Sequence, residues 1–221
     1  GNQARSGIYL YDLNGKTAQL PALLLIGNDY HDPDIWGDYV VCVKDAGGGG
    51  GSEIILYNVK TQVSRSIASG EKNNERPRID SGRVVWSSGD APVASWYPWS
   101  TYQIKLYDIA TGKVTDLTDS ETGNSDPSID GDVIAWQQRE PSGIMVHDLS
   151  TKETQELAVG GELLESPDVD GDIVAFFGSM GLYYVRLGSA EYTPFPDVPI
   201  GHPYLKAIAE MSMNRIIEGY E

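Results

Sequence analysis

The sequence holds little of what metal or acyl-transfer chemistry usually draws on. Cys42 is its only cysteine, which excludes an intrachain disulfide and a thiolate metal cluster built by this chain alone. One buried thiol is compatible with an oxidising compartment as well as a reducing one, so the count leaves the compartment open. The three histidines, His31, His147 and His202, are scattered, and neither His-Glu-x-x-His nor Gly-x-Ser-x-Gly occurs. Cations are scarce too. Lys and Arg total 16 against 32 Asp and Glu, a net charge of −16, so no basic surface is available for phosphate backbones or anionic lipid. Long apolar runs are missing: the longest, around Leu20 to Ile26, is interrupted by Pro21 and is too short to span a bilayer. No signal-peptide pattern opens the chain, and Gly1 begins inside what reads as an ongoing repeat, so a leader upstream is compatible with it.

What is present supports a packed core. Apolar residues make up 40% and aromatics 10% of 221 residues, enough for one full-sized domain with or without a small appendage. The ordering principle is an internal repeat. Four ten-residue segments, Pro33–Cys42, Pro77–Trp86, Pro127–Trp136 and Pro167–Phe176, align without a gap. Between them recurs a second unit that starts at Ile8, Ile54, Ile104, Ile144 and Leu182, at intervals of 46, 50, 40 and 38 residues. Each second unit is followed by a turn and a short strand ending in Leu20, Ile67, Leu117, Leu157 or Phe195.

Each unit reads as a β-hairpin. In the first, Asp130-Gly131 and Asp170-Gly171 are placed to make two-residue turns between apolar strands, with Trp36-Gly37 and Asp80-Ser81 in the same slot. In the second, Thr111-Gly112 is the clearest turn. Two hairpins per repeat of about 40 to 45 residues predict a four-stranded antiparallel blade, the unit of a β-propeller. Pro at the head of each first strand fits a position whose N–H has no ladder partner. The Ile or Val two residues later, and Trp86, Trp136 and Phe176, are expected to fill the space between blades. Four leading and five trailing hairpins make four whole blades and one half, and the inner partner of the hairpin at Ile8 is expected upstream of Gly1. The predicted class is all-β, a β-propeller over residues 1–195, with a short α-helical segment over 196–221.

The pattern Pro-x-Ile-Asp-Gly-Asp-x-Ile-x-Trp, with Ile-x-Leu-Tyr-Asp-x-x-Thr-Gly, resembles the TolB-type propeller repeat; residues 127–136 and 104–112 carry it best. The resemblance covers residues 8–195 and implies a fold, since propellers host binding modules, lyases, hydrolases and regulatory caps. The stretch from Phe195 to Tyr220 resembles the opening half of a surface-layer homology module. It does so at Phe195, Asp197, Val198, Pro199, His202, Tyr204, Ala207, Ile208, Ile216, Ile217, Gly219 and Tyr220. Pro203 suits a first helical position, with Tyr204, Ile208 and Met211 following at i, i+4 and i+7. The resemblance implies non-covalent anchoring to a cell-wall polymer, with Asp197, His202 and Tyr204 as motif positions. The competing reading is a C-terminal helix docked on the propeller, with His202 capping or packing.

Two connections stand out. Ala46 to Ser52 holds five consecutive glycines with no phosphate-binding continuation. Asp90 to Tyr102 holds Trp96, Tyr97, Trp99 and Tyr102, aromatics with polar edges that suit stacking on sugar rings or a protein contact. The competing reading folds that loop back over its own blade. Asp34/Asp38, Asp130/Asp132 and Asp170/Asp172 read as solvated turn residues of separate blades, so no metal or other cofactor is expected. No pair of carboxylates stands apart as glycosidase machinery. His147 takes the slot of Tyr11, Tyr57 and Tyr107, and Cys42 takes that of Trp86, which makes both blade residues.

The expected function is a non-catalytic binding or display propeller, secreted or at the cell surface. Its loop face would meet a protein or glycan and its C-terminal region would hold it to the wall. Neither nucleic acid nor membrane insertion is expected. The alternative is an extracellular polysaccharide lyase or glycoside hydrolase on the same scaffold, which requires ionisable groups converging in a pocket.

Overall fold

The computed structural model describes residues 7–11, 22–27, 29–47, 51–70, 72–90, 102–119, 122–159, 164–178 and 181–188, and all regular structure among them is β. Sheet 1 pairs β1 (Gly7–Leu10) with β2 (Ala22–Ile26). Sheet 2 runs β3 (Tyr30–Trp36), β4 (Tyr39–Asp45), β5 (Ser52–Asn58), β6 (Val63–Ala68). Sheet 3 runs β7 (Lys72–Asp80), β8 (Arg83–Asp90), β9 (Gln103–Asp108), β10 (Lys113–Asp116). Sheet 4 runs β11 (Asn124–Asp130), β12 (Val133–Gln138), β13 (Gly143–Asp148), β14 (Glu153–Val159). Sheet 5 holds β15 (Glu165–Asp170), β16 (Ile173–Gly178) and β17 (Gly181–Arg186). Every sheet keeps chain order. The strands fall into two compact units: one holds β1 to β8 with most of β9 and β10, the other the first residues of β9 with β11 to β17. The expected blades are thus present as three four-stranded sheets, one of three strands and one of two among the described residues. The expected terminal helix lies outside them.

Each first strand breaks register at its proline. The ladder skips from His31 to Asp34, Glu75 to Arg78, Ser125 to Ser128 and Glu165 to Asp168, so two residues oppose one on the second strand. The opposed residue is Cys42, Trp86, Trp136 or Phe176, and the residue before each Pro (Asp32, Arg76, Asp126, Ser166) has φ between 47° and 55°. This is a β-bulge, the place inside a strand where the missing N–H of Pro is tolerated. The prolines therefore sit within their strands rather than at the heads, because the strands begin upstream of the bulge.

The bulge flips the phase of alternation. Positions 74 and 79 are an odd distance apart, yet Asn74 pairs with Ser88 and Ile79 with Val84, both on the face of Trp86. Asn74 thereby reaches the indole: Trp86 Nε1 donates to Asn74 Oδ1 at 3.0 Å, and Trp136 Nε1 donates to Asn124 Oδ1 at 2.9 Å, all buried. Where the indole is absent the amide is absent too. Phe176 is matched by Leu164 and Cys42 by Tyr30, each pair in its apolar cluster. A buried amide without its partner is costly, so acceptor and donor are exchanged together.

The cores lie between sheets. Val41, Val43, Ile54 and Leu56 of sheet 2 pack against Ile79, Val84, Trp86 and Tyr107 of sheet 3. Ile144 and Val146 of sheet 4 pack against Val169, Val174 and Phe176 of sheet 5. Ile8 and Leu25 of sheet 1 meet Val40, Cys42 and Ile55 of sheet 2. The placement of Trp86 and Phe176 between sheets follows the sequence expectation. Ile35 departs from it: it is half exposed, while Ile79, Ile129 and Val169 in its slot are buried, because no described first strand of sheet 1 lies across from it.

Turn chemistry differs from expectation by one residue. The pairs closing the first hairpins are Trp36–Tyr39, Asp80–Arg83, Asp130–Val133 and Asp170–Ile173, so the loops are Gly37-Asp38, Ser81-Gly82, Gly131-Asp132 and Gly171-Asp172. Ser81 (47°) and Gly82 (75°) both have positive φ, the type I′ pattern, whereas Gly131 (55°) is positive and Asp132 is not. Glycine in the first central position is the type II′ preference. The third-to-fourth loops are longer: Asp108 pairs with Lys113 around residues 109–112, and Gln62, Gly112 and Lys152 take the left-handed position that ends them. In sheet 1 the returning strand is Ala22–Ile26 rather than one ending at Leu20.

The Asn–Trp pair is testable as a unit. Trp136→Phe is expected to cost about 2–3 kcal/mol and Asn124→Leu a similar amount, since each strands a buried polar partner. The double variant, which imports the chemistry of sheet 5, should fall short of the sum by at least about 1 kcal/mol in urea unfolding; strict additivity would show the two side chains to be uncoupled.

Cys42 gives a second measurement. Burial pushes its thiol from the ordinary 9.0 up to about 12. Above pH 9 the unfolded chain then loses a proton that the folded chain keeps, so stability falls as pH rises, by at most about 1.4 kcal/mol per pH unit. Cys42→Val should remove that part of the alkaline slope. Alkylation of native Cys42 at neutral pH should proceed only as fast as the fold opens.

Candidate functional site

In each sheet the turns after the first and third strands share one end, so the second-to-third connection leaves from the other. At that loop end the connections are unequal. Residues 139–142 suffice between β12 and β13, but 46–51 join β4 to β5 and the 12 residues 91–102 join β8 to β9. Such insertions on a rigid scaffold are where binding residues are commonly carried. Trp96, Tyr97 and Trp99 lie outside the described residues, as do Asp197, His202 and Tyr204. Tyr102 is described, and it is 1% exposed, with its carbonyl accepting the Asn124 N–H at 2.8 Å. Its ring is packed and presents no open face for stacking.

The loop end of sheet 2 carries a group that sequence reading passed over. His31, on β3, has Nε2 3.3 Å from Asp45 Oδ1 and Nδ1 3.4 Å from Asp32 Oδ2. Asp45 comes from the end of β4, and Asp32 is placed by the bulge. The imidazole is therefore held between two carboxylates at a partly exposed position. Only the signature of the bulge, an Asp directly before Pro33 with His31 preceding it, could have suggested this in advance. His147, by contrast, sits near the turn end, with Nδ1 2.8 Å from Thr154 Oγ1 on the neighbouring strand, and burial lowers its pKa.

The turn end is saturated with local hydrogen bonds. Asp108 accepts the hydroxyl and the N–H of Thr111, which hold its carboxyl below the usual range. Asp148 is held down likewise by the hydroxyl and N–H of Ser150, and Asn58 accepts the Thr61 N–H. The loops of sheets 2 to 5 are also tied together: Val59, Ile109, Leu149 and Leu187 donate to the carbonyls of Asp38, Gly82, Asp132 and Asp172. Four of the six acidic residues singled out above have partners here. Asp38 meets Lys60 at 2.8 Å and Asp172 meets Arg186 at 2.6 Å. Asp34 accepts the Ile79 N–H and Asp130 the Gly171 N–H, each linking neighbouring sheets. Among the described residues, no three His, Cys, Asp or Glu side chains converge as metal ligands.

A half-open groove of about 320 Å³ runs between sheets 2 and 3 beside Tyr39, Leu56, Asn58, Val63, Arg65 and Ile109. The Arg65 guanidinium lies 5.3 Å from the centroid of the Tyr107 ring. No carboxylate or imidazole lines this groove, so it offers apolar surface and one cation rather than an acid–base pair.

No protein-family model matches the chain, and no curated protein matches it. Solved structures do. A puromycin-hydrolyzing peptidase of Mycobacterium tuberculosis aligns with a TM-score of 0.62 at 18% identity, over 84% of this chain and 32% of its own. TolB from Acinetobacter baumannii aligns at 0.52 and 19% identity, over 81% of this chain and 48% of its own. An oligogalacturonate lyase in complex with manganese aligns at 0.57 and 14% identity, over 80% and 55%. The chain spans about a third of the peptidase and about half of the other two. At these identities the likeness is one of fold: the sheets are blades of the TolB-like β-propeller type.

Proposed function

We propose that this chain is a non-catalytic binding propeller of the cell surface, meeting a glycan or a protein through its loop end and held to the envelope through residues 196–221. The observation that carries the reading is the division of the two ends. Among the described residues the shifted ionisable groups are explained by turn capping, a surface ion pair or core burial (Asp108, Asp148, Lys60, His147, Cys42), whereas the sequence that connects β8 to β9 carries Trp96, Tyr97 and Trp99. Indole and phenol rings offer a flat apolar face to sugar C–H groups and a polar edge to hydroxyls, which binding needs and bond cleavage does not. A net charge of −16 favours neutral or cationic partners.

Trp96→Ala with Trp99→Ala is expected to weaken retention on immobilised neutral polysaccharides that are not wall polymers by more than about tenfold, with Tm moved by less than about 2 °C. A large fall in Tm would place the two indoles in packing instead. Release of new reducing ends from a polysaccharide panel by the intact chain would favour the lyase or hydrolase reading.

The tether is tested separately. Residues 1–221 should co-sediment with purified cell walls, and residues 1–195 should remain in the supernatant. Equal sedimentation of both would remove the anchoring role assigned to Asp197, His202 and Tyr204.

A further inference from the structure

The groove between sheets 2 and 3 is lined by a row of residues whose charge departs from that of the other sheets. The register sets Tyr39, Asn58 and Val63 side by side, and Val41, Leu56 and Arg65 in the next row of the same face. The slots of Asn58, Val63 and Arg65 hold Asp108, Lys113 and Thr115 in sheet 3, and Asp148, Glu153 and Gln155 in sheet 4. Sheets 3 and 4 each place a carboxylate there; sheet 2 has amide, valine and guanidinium. In a chain with 32 Asp and Glu against 16 Lys and Arg, this is a local reversal of sign.

The lining passes from core to solvent. Leu56 is buried, Ile109 is half-buried and Val63 is 60% exposed. Beside them the Arg65 guanidinium lies over the buried ring of Tyr107. That contact orients the guanidinium plane and leaves its in-plane N–H groups for an acceptor. None of the ion pairs among the described residues involves Arg65. The acids nearest to the groove along the chain, Asp38 and Asp108, are engaged by Lys60 and by Thr111.

We propose that this groove binds a small apolar monocarboxylate, its carboxylate on the Arg65 guanidinium and its hydrocarbon body against Leu56, Val63 and Ile109. A volume of about 320 Å³ suits a single small molecule. Inorganic phosphate would leave the apolar lining unused, and a neutral hydrocarbon would leave the cation without an acceptor. The net charge of −16 opposes any anion at long range, so binding depends on burying apolar surface together with a charge-assisted hydrogen bond. The site is formed at the turn end and does not rest on the loop-end reading above.

Titration of the 221-residue chain with hydrocinnamate, followed by heteronuclear NMR, tests this. Saturable shifts at Leu56, Asn58, Val63 and Ile109 are expected, with a Kd of about 1 mM or below. Hydrocinnamyl alcohol, which has the same body without the charge, should bind at least about tenfold more weakly. Arg65→Gln should bring the acid down to the level of the alcohol. Val63→Asp, at a side chain that is mostly exposed, should weaken the acid by more than about tenfold and keeps the test open if Arg65→Gln lowers Tm. Shifts that fail to saturate by about 20 mM, shifts that map elsewhere, equal binding of acid and alcohol, or a folded Arg65→Gln that binds the acid as the wild type does would each overturn the proposal.

Discussion

The constraint on which the rest of this structure depends is a break in alternation at the proline of each first strand. A strand of strict period two would put residues 74 and 79 on opposite faces; the two-against-one bulge puts them on the same one. Three consequences follow from that one phase shift. The bulky residue of the second strand faces the widened part of the ladder. An amide upstream of the proline comes within hydrogen-bond reach of the indole. The Ile or Val downstream still faces the neighbouring sheet. Holding a non-glycine residue at φ near 50° before proline costs about 1–3 kcal/mol, and four sheets bear that cost. The burial of a Trp or Phe side chain in each of three sheets, worth about 3–5 kcal/mol when truncated, is large enough to offset it.

Within that frame the sheets differ in a coordinated way. Indole with amide, phenyl with leucine, and thiol with tyrosine are three solutions to one steric and polar problem. The first solution anchors the strand start as well: Asn74 Nδ2 also donates to the Ser52 carbonyl, and Asn124 Nδ2 to that of Thr122. The phenyl solution of sheet 5 gives up those bonds, and Leu164 is held instead by its N–H to Ser142 Oγ. The two ends of the sheets have correspondingly different duties. Short loops, Asx-type caps and loop-to-loop hydrogen bonds fix the turn end, so the strands can support long connections at the other end without losing register.

Much of this was legible in the sequence, and the exceptions have physical causes. The gapless recurrence of Pro to Trp exposed the four-strand unit, because residues that fill equivalent spaces between sheets are under equivalent demands. The Asp-Gly dipeptide pointed to a hairpin but set the turn one residue early. Asp130 stays in the ladder and spends its carboxylate on the Gly171 N–H of the next sheet. The Asn partners of Trp86 and Trp136 were invisible to a search for alternation, since the bulge puts them out of phase. Tyr102 read as part of an aromatic loop, yet it stands one residue before β9 and packs inward.

A repeat whose cores lie between units rather than within them makes each sheet depend on its neighbour. Val41, Val43, Ile54 and Leu56 of sheet 2 are buried because Ile79, Val84 and Trp86 of sheet 3 lie over them, and Ile144 and Val146 of sheet 4 because Val169, Val174 and Phe176 of sheet 5 do. A large-to-small change at any of these positions therefore opens the core of two sheets at once, and its cost is set by how far both can close on the gap.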